Sequence, residues 1–243
     1  MAQPPAGSLQ GLRCGVTGAG GSLGRALLWE LHQQGAIPVA LRHSADSLVL
    51  ERDGQSLAVE TLSWQVGQEE QLREALADLD LLVINHGINR IGARDAVATS
   101  ETLAVNLLSP LRLLELFLAS EPGAGAKDGG SREVWVNTSE AEVNPALSPL
   151  YEISKRALGQ LLSLRRLDAN CRVRRLVLGP FRSDLNPYGV MRAEGVARSV
   201  IRQALAGRDL IIVTPNPLTW VLMPLTCWGR ELYYRWFTRP PGP

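Results

Sequence analysis

Short apolar runs alternate with longer amphipathic ones along this chain. CGVT (14–17), IPVAL (37–41), LLVIN (81–85), EVWVNT (133–138), RVRRLVLG (172–179) and DLIIVT (209–214) read as strands, with a weaker one in SLAVETL (56–62). Between them LGRALLWELHQQ (23–34), EEQLREALADL (69–79), LAVNLLSPLRLLELFLAS (103–120) and YEISKRALGQLLSLRRLDA (151–169) carry apolar residues at helical spacing. Strands spaced by amphipathic helices predict βαβ units, hence an α/β fold with one doubly wound parallel sheet and helices on both faces. No internal repeat and no second domain is visible, so 1–243 reads as a single domain. The low-complexity stretch 120–133 reads as an exposed loop before a strand.

Composition narrows the class only a little. A net charge of +1 gives no global attraction to nucleic acid, and the basic run RRLDANCRVRR (165–175) reads as a solvated face where a helix ends and a strand begins. Cys14, Cys171 and Cys227 are far apart and form no CxxC pair, which argues against a zinc site or a disulfide framework and fits a reducing, cytoplasmic compartment. The first ten residues lack the basic and apolar regions of a secretory signal, and no apolar run reaches the length that crosses a bilayer.

In such sheets ligands bind beyond the C-terminal ends of the strands, so the residues there carry the chemistry. After the first strand comes VTGAGGSLG (16–24), four glycines at the mouth of a helix. It is either a tight strand-to-helix turn or a loop whose N–H groups hold a phosphate at the helix dipole's positive end. About twenty residues on, RHS places Arg42 and Ser44 where a basic residue receives the 2′-phosphate of NADP, and no acidic residue lies between Ile37 and Ala45. NHG (85–87) follows another strand, and Ser139 follows the next. YEISK then sets Tyr151 and Lys155 four apart, on one helix face. With 4 Tyr and only 2 Lys in the chain, chance places such a pair about 0.03 times.

These residues resemble the short-chain dehydrogenase/reductase family from about Leu12 to Val213, and the resemblance implies a Rossmann-type NAD(P)-binding domain. It implies a cofactor loop in Thr17, Gly18, Gly20, Gly21, Ser22, Leu23 and Gly24, with further cofactor contacts from Arg42, Ser44, Gln65, Asn85, Gly87 and Ser183 as well as Tyr151 and Lys155. Its catalytic residues would be Asn106, Ser139, Tyr151 and Lys155, with Thr138 as substitute for Ser139, and His86 a packing residue. The implied reaction is hydride transfer between NADP, favoured over NAD, and a carbonyl or alcohol substrate. Two rivals stand beside it: a nucleotide-sugar epimerase or dehydratase of the extended branch, which calls for a larger C-terminal lobe, and a dinucleotide-binding sensor without turnover. Three departures are notable: Ser22 in place of a glycine, Gln65 in place of an aspartate, and Glu140 in place of a serine.

The tail, 214–243, stands apart by composition. It holds three of six Trp and two of four Tyr, with Arg230, Arg235 and Arg239. It is a helix that closes the pocket or enters a homodimer, or else a peripheral anchor on a membrane surface, with an apolar substrate entering beside it. Pro224 and the shortness of 218–225 exclude a span.

Overall fold

The computed structural model describes residues 8–123, 126 and 132–239. Most of the predicted loop at 120–133 therefore lies outside the described residues. Eight strands form one sheet: β1 Arg13–Thr17, β2 Ile37–Arg42, β3 Leu48–Arg52, β4 Gln55–Ser63, β5 Leu81–Ile84, β6 Glu133–Asn137, β7 Arg172–Leu178 and β8 Leu210–Val213. Their order is β3-β4-β2-β1-β5-β6-β7-β8, and only the β3–β4 pair is antiparallel. The strand order reverses between β1 and β5, which opens a crevice at their C-terminal ends.

Side chains alternate across the sheet and build two cores. Cys14, Val16 and Val83 pack under α1 (Ser22–Gln33) and α6 (Ala193–Leu205), against Leu27, Leu31, Val196 and Val200. Val39, Leu41, Leu82 and Val136 face the opposite way, toward α2 (Arg73–Ala77), α4 (Ser109–Ala119) and α5 (Pro149–Arg165). α3 (Ala96–Leu103) runs into α4 through a π-helical turn at Ala104–Leu108. The combined helix, Ala96–Ala119, is long and apolar enough to cross a membrane by length and composition. That overturns the expectation that no apolar stretch reaches such a length. It packs Leu113, Leu114 and Phe117 against the sheet, as a core helix does.

The structure adds to the sequence pattern at several points. β3 is an unforeseen strand, joined to β4 by Asp53-Gly54, both at positive φ (52° and 76°). That Asp-Gly pair is a two-residue hairpin signal. The helix expected over 69–79 is a 3-10 turn at Glu69–Leu72 followed by the short α2, and α6 was not foreseen. The tail forms α7, Pro217–Phe237.

The basic run at 165–175 is not wholly solvated. Arg174 and Arg175 are both buried in β7. Arg174 donates to Glu133 and to the Arg208 carbonyl. Arg175 donates to Glu142 at 2.9 Å, to Ser163 Oγ at 2.6 Å and to the Gly159 carbonyl at 2.8 Å. Arg230 of α7 reaches the same Glu142 oxygen at 2.8 Å. Burial of a guanidinium requires such partners. Glu142→Ala strips both arginines of their carboxylate and is expected to cost about 3–5 kcal/mol, read as a lowered urea midpoint at unchanged slope.

Candidate active site

Two of the loop glycines are required by the fold itself. Gly18 has φ +63°, and a Cβ there would press on the His86 backbone; a Cβ at Gly24 would collide with the Gly18 carbonyl. Gly20 and Gly21 are less confined, and the nearest neighbour of a Cβ at Gly20 is the Arg42 guanidinium at 3.8 Å. Gly21 caps α1 with no side-chain hydrogen bond, and the first turn holds no acidic residue. The N–H groups of Ser22 and Leu23 therefore stand at an uncapped, positive helix end. Ser22 faces Ser183 across a cleft of about 710 Å³ whose rim also carries Arg182 and Arg192. A helix end of this kind can receive an anionic group, and a guanidinium such as Arg42, beside Gly20, can pair with a phosphate.

The remaining predicted cofactor residues divide into two groups. Thr17 is fully buried, and its hydroxyl accepts from the N–H groups of Asn85 (2.8 Å) and His86 (3.2 Å). It therefore fastens the NHG segment to β1. Asn85 accepts from Asn137 Nδ2 at 2.9 Å, and Gly87 lies beside Asn106 Oδ1, where a Cβ would be tight. Ser44 donates to Asp46 at 2.6 Å, and Gln65 is exposed beyond β4, beside Trp64, whose N–H donates to the Arg42 carbonyl.

His86 is a packing residue, as expected. Its Nδ1 lies 2.9 Å from Thr17 Oγ1 and its Nε2 3.1 Å from Ser109 Oγ, with Trp64 edge-on to the ring. Burial, then the Lys155 charge, push its pKa down to about 3, so it is neutral.

The four predicted catalytic residues lie on neighbouring elements at the C-terminal edge of the sheet. Asn106 is fully buried in the π-helical turn, a distortion frequent at functional sites. Its amide accepts from Ile88 N–H (2.8 Å) and donates to the Ile88 carbonyl (2.9 Å) and Ser154 Oγ (3.1 Å). It thus holds the 85–89 loop against α5. Lys155 is buried and donates to the Asn137 carbonyl at 3.0 Å, with Nζ 5.8 Å from the Tyr151 ring centroid. Burial pulls its pKa down to about 8, restrained by the charge of Glu142, so it is an ammonium at neutral pH.

Tyr151 is raised, chiefly by burial and then by the Glu140 charge, while a hydrogen bond with Ser139 works the other way. Ser139 neighbours the phenol, and its Oγ also accepts from Ala141 N–H at 3.1 Å and donates to the Leu178 carbonyl at 3.4 Å; the Thr138 hydroxyl donates to the Leu176 carbonyl at 3.2 Å. Among the described residues no group of three His, Cys, Asp or Glu is placed to hold a metal.

Two further residues belong to the site. Asn137, at the end of β6, links Asn85 to Lys155 and keeps its Oδ1 buried without a partner. Glu140 accepts from Thr214 and from Thr219 of α7, joining the catalytic loop to the tail. Glu140 was legible only as a departure from the family pattern, and nothing in the sequence marked Asn137.

The fold is that of solved short-chain dehydrogenases, to which this chain is similar in structure. Solved structures share the fold at low identity. A short-chain dehydrogenase from Burkholderia cenocepacia in complex with NADP matches with TM-score 0.70 and 20% identity, over 96% of this chain and 100% of that one. One from Sphingobium yanoikuyae in complex with NADPH matches with TM-score 0.71 and 14% identity, over 96% and 98%. Aldohexose dehydrogenase from Thermoplasma acidophilum, ligand-free, matches with TM-score 0.63 and 16% identity, over 85% and 94%. A curated relative, monoglucosyldiacylglycerol epimerase of Synechocystis, is 48% identical over 232 residues. The alignment covers 96% of this chain, which spans 56% of that relative's length. No family model matches the chain.

Glu140→Gln keeps an acceptor for both threonines and removes the charge that raises Tyr151. The Tyr151 ionisation is expected at lower pH in the variant, measured by NMR titration of ¹³C-labelled tyrosine.

Proposed function

We propose that the chain is an NADP(H)-dependent oxidoreductase that inverts a carbinol centre in the hexosyl headgroup of a glycolipid. The observation that carries the reading is the buried Lys155 ammonium beneath Tyr151, with Ser139 beside the phenol. Arg42 beside Gly20 favours NADP over NAD, and two of the solved relatives of this fold are described with NADP or NADPH. The substrate class follows the relative that is 48% identical. The aldohexose dehydrogenase among the fold relatives is consistent with a sugar carbinol.

Bound NADP supplies the acceptor and donor of hydride. Tyr151 takes the carbinol proton as the alcohol is oxidised and returns it when the ketone is reduced. A carbinol C–H is not acidic, so inversion by simple deprotonation is closed to this substrate, and paired oxidation and reduction is the route left. Moving a phenol from a pKa near 10 to neutrality takes about 4 kcal/mol. Burial and Glu140 oppose that shift, so Lys155 and the positive charge of the oxidised ring must outweigh them. Ser139 holds the substrate oxygen against the phenol. Asn106 acts through the 85–89 loop and α5.

Tyr151→Phe is expected to lower turnover by about 10²–10⁴-fold and to leave NADPH affinity within twofold. Deuterium placed on the inverted carbon of monoglucosyldiacylglycerol should remain in the epimeric product; its loss to solvent would overturn the hydride route. Conversion to a ketone that accumulates with stoichiometric NADPH would mark a plain dehydrogenase instead.

Arg42→Asp removes charge-assisted bonds worth about 1.5–3 kcal/mol. NADPH affinity should fall about 10–100-fold while NADH affinity holds or improves, by isothermal titration.

A further inference from the structure

α7 is amphipathic in the inverted sense. The residues that face the domain are largely polar: Thr219 is buried and bonded to Asn144 at 2.9 Å, Arg230 to Glu142 at 2.8 Å, and Glu231 to Arg166 at 3.4 Å. Met223 is the one fully buried apolar side chain of the helix, set among Val177, Ile212 and Val143. The apolar residues face out. Leu218, Val221, Leu225, Trp228 and Trp236 are between 58% and 74% exposed. At 100° per residue they fall on one side of a helix about 30 Å long. No carboxylate lies on that side; its charge is Arg235, followed by Arg239 just beyond the helix.

The same edge of the sheet bears more apolar surface. Leu147, at 94% exposure and φ +54°, stands on the loop that follows Asn144. Tyr188 (85%) and Val190 (72%) stand on the segment lining the cleft beside Ser183. α7 is tied to the catalytic loop through Thr219 and Glu140.

We infer that α7 lies flat on an anionic bilayer, its outward face in the headgroup region, and sets the mouth of the cleft against the membrane. Trp and Tyr with Leu below and Arg toward anionic headgroups are the composition of such helices. The inward bonds from Thr219 to Glu231 hold α7 along the domain, which excludes a span in this conformation. The choice of a bilayer over a second copy of the chain rests on the glycolipid reading above. A lipid substrate keeps its acyl chains in the membrane while its headgroup enters the cleft.

The test uses the full chain with phosphatidylglycerol/phosphatidylcholine vesicles and with phosphatidylcholine alone, without substrate or cofactor. The chain should float with the anionic vesicles and do so more weakly with the neutral ones. Two variants separate the contributions: Val221→Gln/Leu225→Gln/Trp228→Gln on the outward face, and Arg235→Glu/Arg239→Glu at its end. Each should reduce anionic-vesicle binding at least tenfold, with circular dichroism and melting midpoint unchanged. Failure of the wild type to float, or flotation of the folded triple variant like wild type, overturns the proposal. So does a wild-type dimer that the triple variant converts to monomer without any flotation, because the face then covers a second copy. Flotation is read with no turnover, so the glycolipid reading can fail in the deuterium experiment while membrane binding stands, and the reverse.

Discussion

A single buried carboxylate holds the working edge of this molecule together. Glu142 receives Arg175 from the middle of β7 and Arg230 from α7, while Arg175 also binds Gly159 and Ser163 of α5. Gly159 is needed because a side chain there would fill the space the carboxylate occupies. β7, α5, α7 and the segment after Ser139 thus meet at one charge cluster. Buried ion pairs seldom add much net stability, since desolvation offsets their attraction, but breaking one leaves a charge with no water. What the cluster supplies is position: it fixes the segment carrying Ser139 against the helix carrying Tyr151 and Lys155.

On the other side of the catalytic residues, position comes from neutral groups. Thr17, His86 and Ser109 form a hydrogen-bonded chain and Asn106 binds the Ile88 backbone, and together they hold the 85–89 loop between β1 and the π-helical turn. His86 can serve there because burial keeps it uncharged. The two networks bracket Lys155, which Glu142 favours as an ammonium and desolvation disfavours. The outcome is a lysine that keeps its charge at neutral pH with little to spare. In the glycine loop Gly18 and Gly24 satisfy packing, whereas Gly20 and Gly21 are not required by close neighbours.

α7 connects the site to the surface. Its polar side is consumed by Glu140, Asn144, Glu142 and Arg166, so its apolar side has nowhere in the domain to go. The same bonds that seat the helix therefore both complete the catalytic loop and turn ten large apolar side chains, Leu218 to Phe237, toward the outside.

The local signals were sufficient for the framework. Alternating apolar runs, the glycine loop, and Tyr151 four residues before Lys155 depend on periods and spacings within one segment, and these survive folding unchanged. The Asp53-Gly54 hairpin was equally local, and was legible in the sequence as a turn signal that the weak strand pattern around it obscured. Arg174 and Arg175 were not legible in this way. Their burial depends on Glu133, Glu142 and Gly159 arriving from elsewhere in the chain. Nor could the sequence orient α7, because a helix apolar over most of its circumference does not say which stripe the domain will cover. That was decided by where Glu140, Glu142 and Asn144 stand in three dimensions: buried polar groups must find partners, and the helix turned its few polar residues inward to meet them.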